Sequence, residues 1–271
     1  FIVPYSSPTF IPLRSFSKNS PQASLFTTAQ KSSRASLLQG NIFVIQTADS
    51  TSGPMTSKPA SAEPLASGLN FKLSTMMFLQ YAIWGAWLPL LWPFLNGHRG
   101  FSAAQIGDMF AIGAVGAIVA PFIAGQIADR WFNTEKFLAI SHILGGILVW
   151  QLATIETYKG FLAFSLLYSL IYSPTLALTN SLAFHHLPDR DRDFGKIRIW
   201  GTVGWIVVGI GIGQWLLHQH TPADVTAEAV SAAQAAGMAD AFKLSGLLGI
   251  VMGLFCFFLP TTPPAKEEKS S

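Results

Sequence analysis

Apolar positions along this chain are gathered into long blocks instead of being spread at surface-helix or strand spacing. Six uncharged or nearly uncharged runs follow one another, at about 73–96, 104–128, 136–155, 160–183, 197–217 and 241–259. A helix needs roughly 20 apolar residues to cross the hydrocarbon core of a bilayer, and each run is of that order. None shows the alternation of a barrel strand, and a helix satisfies its own backbone groups in lipid. The blocks predict an all-α integral membrane protein, a six-transmembrane-helix bundle within a membrane domain covering residues 71–262.

The flanks read differently. Residues 1–70 are rich in Ser, Thr and Pro and carry Arg14, Lys18, Lys31 and Arg34 before the first acid, Asp49. That composition superficially matches an organellar transit peptide. A plainer reading starts from Met55, where "MTSKPASAEPLASGLNFKLS" would be an ordinary polar approach to the first helix. The expectation is a disordered or non-native extension over 1–70, with targeting as the rival, and a truncated cytoplasmic tail over 263–271.

Composition supports the membrane reading, since 50% of residues are hydrophobic and only 11% charged, against roughly 25% charged in soluble domains. The net charge of +3 is explained by where the cations lie. If the first helix starts in the cytoplasm, Lys58, Lys72, Arg130, Lys136, Arg190, Arg192, Lys196, Arg198, Lys266 and Lys269 fall on that side, against Arg99, Lys159 and Lys243 outside. The bias places both ends of the six-helix unit in the cytoplasm, in a multi-pass protein of the inner (cytoplasmic) membrane. The lipid bilayer accounts for the basic balance, and no nucleic acid is expected. The single Cys256 can form no intrachain disulfide.

Candidate chemistry concentrates in a few polar positions inside the blocks. The run "KIRIWGTVGWIVVGIGIGQWLL" at 196–217 puts Arg198, Thr202 and Trp205 at i, i+4 and i+7, on one helical face. They could line a polar cavity, or Arg198 could snorkel to headgroups as an anchor. Gln80, Trp84 and Trp87 share a parallel face of the first block, with aromatic packing between helices as the rival role. In the fourth block Pro174 removes a backbone donor, and Asn180 beyond it is either glue between helices or a cavity group. The spacing of Gly209 and Gly213 reads as a small-residue packing motif. "DRDRDF" at 189–194 reads as a charged loop, and His185, His186, His218 and His220 as solvated loop positions.

Between the second and third blocks, "GQIADRWFNTEKF" resembles the Gly-x-x-x-Asp-Arg signature of major facilitator transporters, with Gly125, Asp129 and Arg130 in the gating-loop positions. "FLQYAIWGAWLPLL" at 78–91, "YSPTLALTNSLAF" at 172–184 and "IRIWGTVGW" at 197–205 together resemble the nucleoside:proton symporter family of that superfamily. The resemblance runs in order and spacing over about 71–262. It implies the N-terminal half of a twelve-helix transporter, with Arg198, Thr202 and an aromatic at the position of Trp205 lining the substrate cavity, and Gln80 and Trp84 close by. The usual aromatic there is Phe, so Trp205 is a departure. The implied partners are a nucleoside, protons, and a missing C-terminal half or a second copy.

No nucleophile-base set, phosphate loop or metal-ligand spacing can be assembled from the blocks, so neither an enzyme nor a cofactor is expected. Proton coupling needs a titratable group in the path, and the candidates are Asp108, Asp129 and His142; the resemblance places coupling carboxylates in the other half. Two further functions stay open: a non-transporting membrane assembly or regulatory protein, and a major facilitator transporter of sugars or other polyols.

Overall fold

The computed structural model describes residues 64–127, 133–223 and 225–264. Asp129 and Arg130, like most of the N-terminal extension and the tail, lie outside the described residues. The elements are helices throughout: α1 Ser67–Trp87, a 3-10 turn Leu88–Leu90, α2 Leu91–Gly97, α3 Ala103–Ile127, α4 Thr134–Leu152, α5 Tyr158–His186, α6 Arg190–Gln219, α7 Ala227–Gly237 and α8 Ala239–Cys256.

Local chemistry sets the boundaries. Pro89 sits in the 3-10 turn that separates α1 from α2 inside one apolar run, because proline has no N–H to continue the ladder. The turn into α3 uses Gly100 at φ 68°, a left-handed conformation that glycine adopts at no steric cost. Ser102 and Gln105 then form a reciprocal capping box: the Gln105 N–H donates to Ser102 Oγ at 3.3 Å and the Ser102 N–H to Gln105 Oε1 at 2.9 Å. Thr157 and Asp189 cap α5 and α6 by accepting from Gly160 N and Arg192 N. The Asp189 cap means that "DRDRDF" forms the first turns of α6 and is not a loop. His185, His186 and His218 likewise lie on helices, with His186 Nε2 2.8 Å from Thr262 Oγ1.

Among the described residues, five segments are long and apolar enough to cross a membrane: Ser67–Gly97, Ala103–Ile123, Tyr158–His186, Arg190–Gln219 and Ala227–Cys256. The third predicted block corresponds to α4, whose Glu135, Lys136 and Gln151 dilute its apolar character. It nonetheless packs extensively on α8 and α5.

The contacts arrange the long helices in the order α6, α1, α8, α4, α5, α3, with α6 and α3 each resting mainly on one neighbour. In lipid the hydrophobic effect does not press helices together, so close backbone approach has to. Glycines supply it at three seams, one of them α3–α5, where a Cβ on Gly116 would lie 2.9 Å from the Ser169 carbonyl oxygen. Between α4 and α8, a Cβ on Gly146 would lie 2.7 Å from the Gly246 carbonyl oxygen. Between α1 and α6, a Cβ on Gly85 would lie 2.9 Å from Trp205 Cα, and one on Gly204 would run into the Phe78 carbonyl. The expected packing pair is only half engaged: Gly209 is at contact distance from the Gly85 carbonyl, whereas a Cβ on Gly213 would meet open space. Ser245 Oγ donates to the Ile83 carbonyl at 2.8 Å, tying α8 to α1.

Candidate substrate site

The α1–α6 seam brings two of the sequence-predicted groups against α1. The Arg198 guanidinium lies over the Tyr81 ring, 4.1 Å from its centroid, a cation–π contact worth about 0.5–2 kcal/mol. Arg198 is two turns inside α6, about 12 Å from its start at Arg190, and Tyr81 is about 21 Å into α1. Among the described residues Arg198 has no ion-pair partner. One turn beyond Thr202, the Trp205 ring meets Trp84 edge-on, with centroids 6.0 Å apart and planes at 83°. Thr202 itself is exposed.

A third helix extends the aromatic surface. Trp84 is 6.4 Å from Tyr172 of α5, which stacks on Tyr168 at 5.1 Å and 16°. Trp84 and Tyr172 also line a cavity of about 310 Å³ between α1, α3 and α5, together with Trp87, Tyr168, Ser169 and Ser173. That volume is at the lower end for a small-molecule pocket. The wall offers ring faces for a planar ligand and hydroxyls for its polar edge, while Arg198 offers five N–H donors at the neighbouring seam.

Two predicted site residues sit elsewhere. Gln80 does not share the exposure of Trp84; it is fully buried and faces α4 and α5. Its Nε2 donates to Thr175 Oγ1 at 2.9 Å, and its Oε1 lies 2.8 Å from His142 Nε2. The separation arises because α1 has neighbours on both flanks, so residues four apart on one stripe can still face different helices. Asn180 is not joined to the Arg198 group. Its Nδ2 donates to the Leu176 carbonyl of its own helix at 3.0 Å, and its buried Oδ1 has no partner. It lines a separate open groove with Ser181, Phe184 and Arg190. Trp87 packs against Tyr168 and Phe242 at 5.8 and 5.5 Å, which is the packing role. Gly125 lies within the last turns of α3.

Tyr81 and Tyr172 were not singled out by sequence. Tyr81 had an available signal, since it precedes Trp84 and Gly85 by three and four positions and so shares their face. Tyr172 immediately precedes the "SPTLALTN" run, where proline draws attention away from it.

Known proteins are similar to this chain in sequence and in fold. The Escherichia coli (strain K12) protein YegT is 43% identical over 198 residues, covering 73% of this chain and 44% of YegT. Nucleoside permease NupG from the same organism is 28% identical, covering 74% of this chain and 44% of NupG. A crystal structure of nucleoside transporter NupG superposes with a TM-score of 0.64 at 26% identity, over 75% of this chain and 47% of that one. The chain therefore spans a little under half the length of these relatives. The family model for the nucleoside H+ symporter matches residues 67–271. With an all-helical bundle of membrane-crossing length and the fold of a nucleoside transporter's half, this chain belongs to the nucleoside H+ symporter family.

Proposed function

We propose that this chain forms the N-terminal half of a proton-coupled nucleoside symporter working by alternating access, with both ends of the bundle in the cytoplasm. Its partner half is a C-terminal domain or a second copy. The observation that carries the reading is Arg198 held over Tyr81, beside the Trp84–Trp205 edge contact and the Trp84–Tyr172 wall. A nucleoside has a planar base with carbonyl and ring-nitrogen acceptors and a ribose with hydroxyls. Aromatic faces bind the base by stacking, at about 1–3 kcal/mol per base in other nucleic-acid settings. The Arg198 guanidinium donates to base or ribose oxygens, and the Thr202 hydroxyl, one turn further along, completes the polar edge.

The anchor role for Arg198 is less consistent with this geometry. A snorkelling side chain extends toward the nearer helix end, whereas this guanidinium is committed to a ring well inside α1. Gly125, Asp129 and Arg130 are proposed as the gating contact, made in one conformation and broken in the other. Gln80 and Asn180 are assigned supporting positions, Gln80 behind the wall and Asn180 in its separate groove.

The test is uptake of labelled uridine by cells lacking their own nucleoside transporters and expressing the complete gene. Saturable uptake, inhibited by unlabelled nucleosides and abolished by a protonophore, is the expected result. Inhibition by hexoses in place of nucleosides would move the assignment to sugar transport. Absence of both would leave an assembly role.

A further inference from the structure

We propose that His142 is a proton-binding site of the transport cycle, seated in a hydrogen-bond chain that runs from α4 through Gln80 to α5 and reverses direction when the proton leaves. The inference rests on the symport reading above, and deepens it by placing a proton carrier in this half.

The argument is an inventory of donors. A neutral imidazole has one N–H and one lone pair. In the structure both ring nitrogens face acceptors: Nδ1 is 2.7 Å from the Leu138 carbonyl and Nε2 is 2.8 Å from Gln80 Oε1. In this orientation of the amide, Gln80 Nε2 donates to Thr175 Oγ1 at 2.9 Å. Thr175 has a single hydroxyl proton, which it gives to the Tyr172 carbonyl at 2.6 Å. With the amide so oriented every donor along the chain points from His142 toward Tyr172 and His142 carries N–H at both nitrogens, whereas with the amide turned over a neutral ring closes the same chain.

Loss of the Nε2 proton to water leaves a lone pair facing an oxygen. A half-turn of the Gln80 amide then presents its N–H to His142 and its oxygen to Thr175, whose hydroxyl swings from the Tyr172 carbonyl to meet it. One N–H bond breaks and re-forms per cycle, and the other changes are rotations. The same four residues satisfy both states.

The surroundings make the two states unequal. His142 is buried, and the groups facing it are Gln80 from α1, Tyr172 from α5 and the glycine-lined backbone of α8 at Gly249. Tyr172 is the titratable member; its ring stands edge-on at 5.9 Å, and its hydroxyl donates to the Gln80 backbone carbonyl at 2.5 Å. Among the described residues no carboxylate compensates an imidazolium there, and an uncompensated buried charge is costly. The proton is therefore held only in the part of the cycle that stabilises it. Tyr172 is also the residue that meets Trp84. A proton on His142 and a ligand on the Trp84–Tyr172 wall thus act on one side chain from opposite sides, and by linkage each changes the affinity for the other.

The experiment records imidazole 15N signals of histidine-labelled full-length protein, with His142 assigned by its absence in His142→Gln. The expected result is conversion between neutral ring and imidazolium within the pH range over which the protein stays folded, with a midpoint that moves on adding uridine. A ring that stays neutral throughout, with and without uridine, overturns the proposal. In cells, His142→Gln is expected to lose uphill accumulation of uridine while exchange of labelled for unlabelled uridine remains measurable; undiminished accumulation also overturns it. Should the wild type move no nucleoside at all, the symport reading fails on that ground, while the ring titration is decided separately in the purified protein.

Discussion

Gln80 and Tyr81 are neighbours in sequence and belong to two different environments. Gln80 faces the middle of the bundle, fully buried, with its amide engaged by His142 and Thr175 and its carbonyl by Tyr172. Tyr81 faces the α6 edge, where it is partly exposed and carries the Arg198 guanidinium on its ring. The helices differ as well: 56% of the most apolar stretch of Ser67–Gly97, which carries both residues, is buried, against 22% for Arg190–Gln219. One helix thus separates a dry, hydrogen-bonded interior from an open aromatic face. Polar residues on the first side are engaged with one another across helices, and on the second they face an open surface.

Substitutions can break this contrast, and the largest effect is expected at the seam itself. Gly204→Leu places a side chain against the Phe78 backbone carbonyl, which cannot yield as a flexible side chain would. A loss of about 3 kcal/mol is expected, read as a lowered thermal midpoint of purified protein; Gly213→Leu, into open space, should stay within about 0.5 kcal/mol.

On the open face, Arg198→Ala removes charged donors and should reduce uridine uptake by roughly tenfold to a hundredfold at unchanged membrane level. Unchanged uptake would return Arg198 to an anchoring role. On the dry side, Gln80→Leu strands the facing groups of His142 and Thr175 and should cost about 1–3 kcal/mol. Its signature is a lower thermal midpoint with more of the uridine affinity retained than in Arg198→Ala, and the opposite pattern would place Gln80 in the site. The smallest change is expected from Tyr81→Leu, which forfeits about 0.5–2 kcal/mol of cation–π attraction and should raise the apparent KM several-fold, while Tyr81→Phe keeps the ring and stays near wild type.

The sequence made the helices legible and their facing much less so. Apolar blocks long enough to cross a bilayer stand out against an 11% charged chain, and the Arg198–Thr202–Trp205 stripe follows from helical periodicity alone. Two features resisted. The start of α6 was hidden by charge, because Asp189, Arg190, Asp191, Arg192 and Asp193 look like loop until the Asp189 cap and the Arg192–Asp193 and Lys196–Asp193 pairs, at 2.6 and 3.0 Å, are seen. The direction in which Gln80 points was hidden by lipid. A soluble helix advertises its buried side by contrast with a polar one, whereas a membrane helix is apolar toward both lipid and neighbours. Only the partner helices decide whether a polar residue is glue or site.

The absence of side chains at Gly85 and Gly204 has a mechanical corollary. With backbone resting on backbone there, α1 and α6 have no compliant layer between them and cannot slide or tilt independently. If the bundle rocks as proposed, α1 and α6 are expected to move together, with Arg198 and Tyr81 on the same unit. The α3–α5 seam at the other end of the helix order is as close, since a Cβ on Gly116 would lie 2.9 Å from the Ser169 carbonyl oxygen.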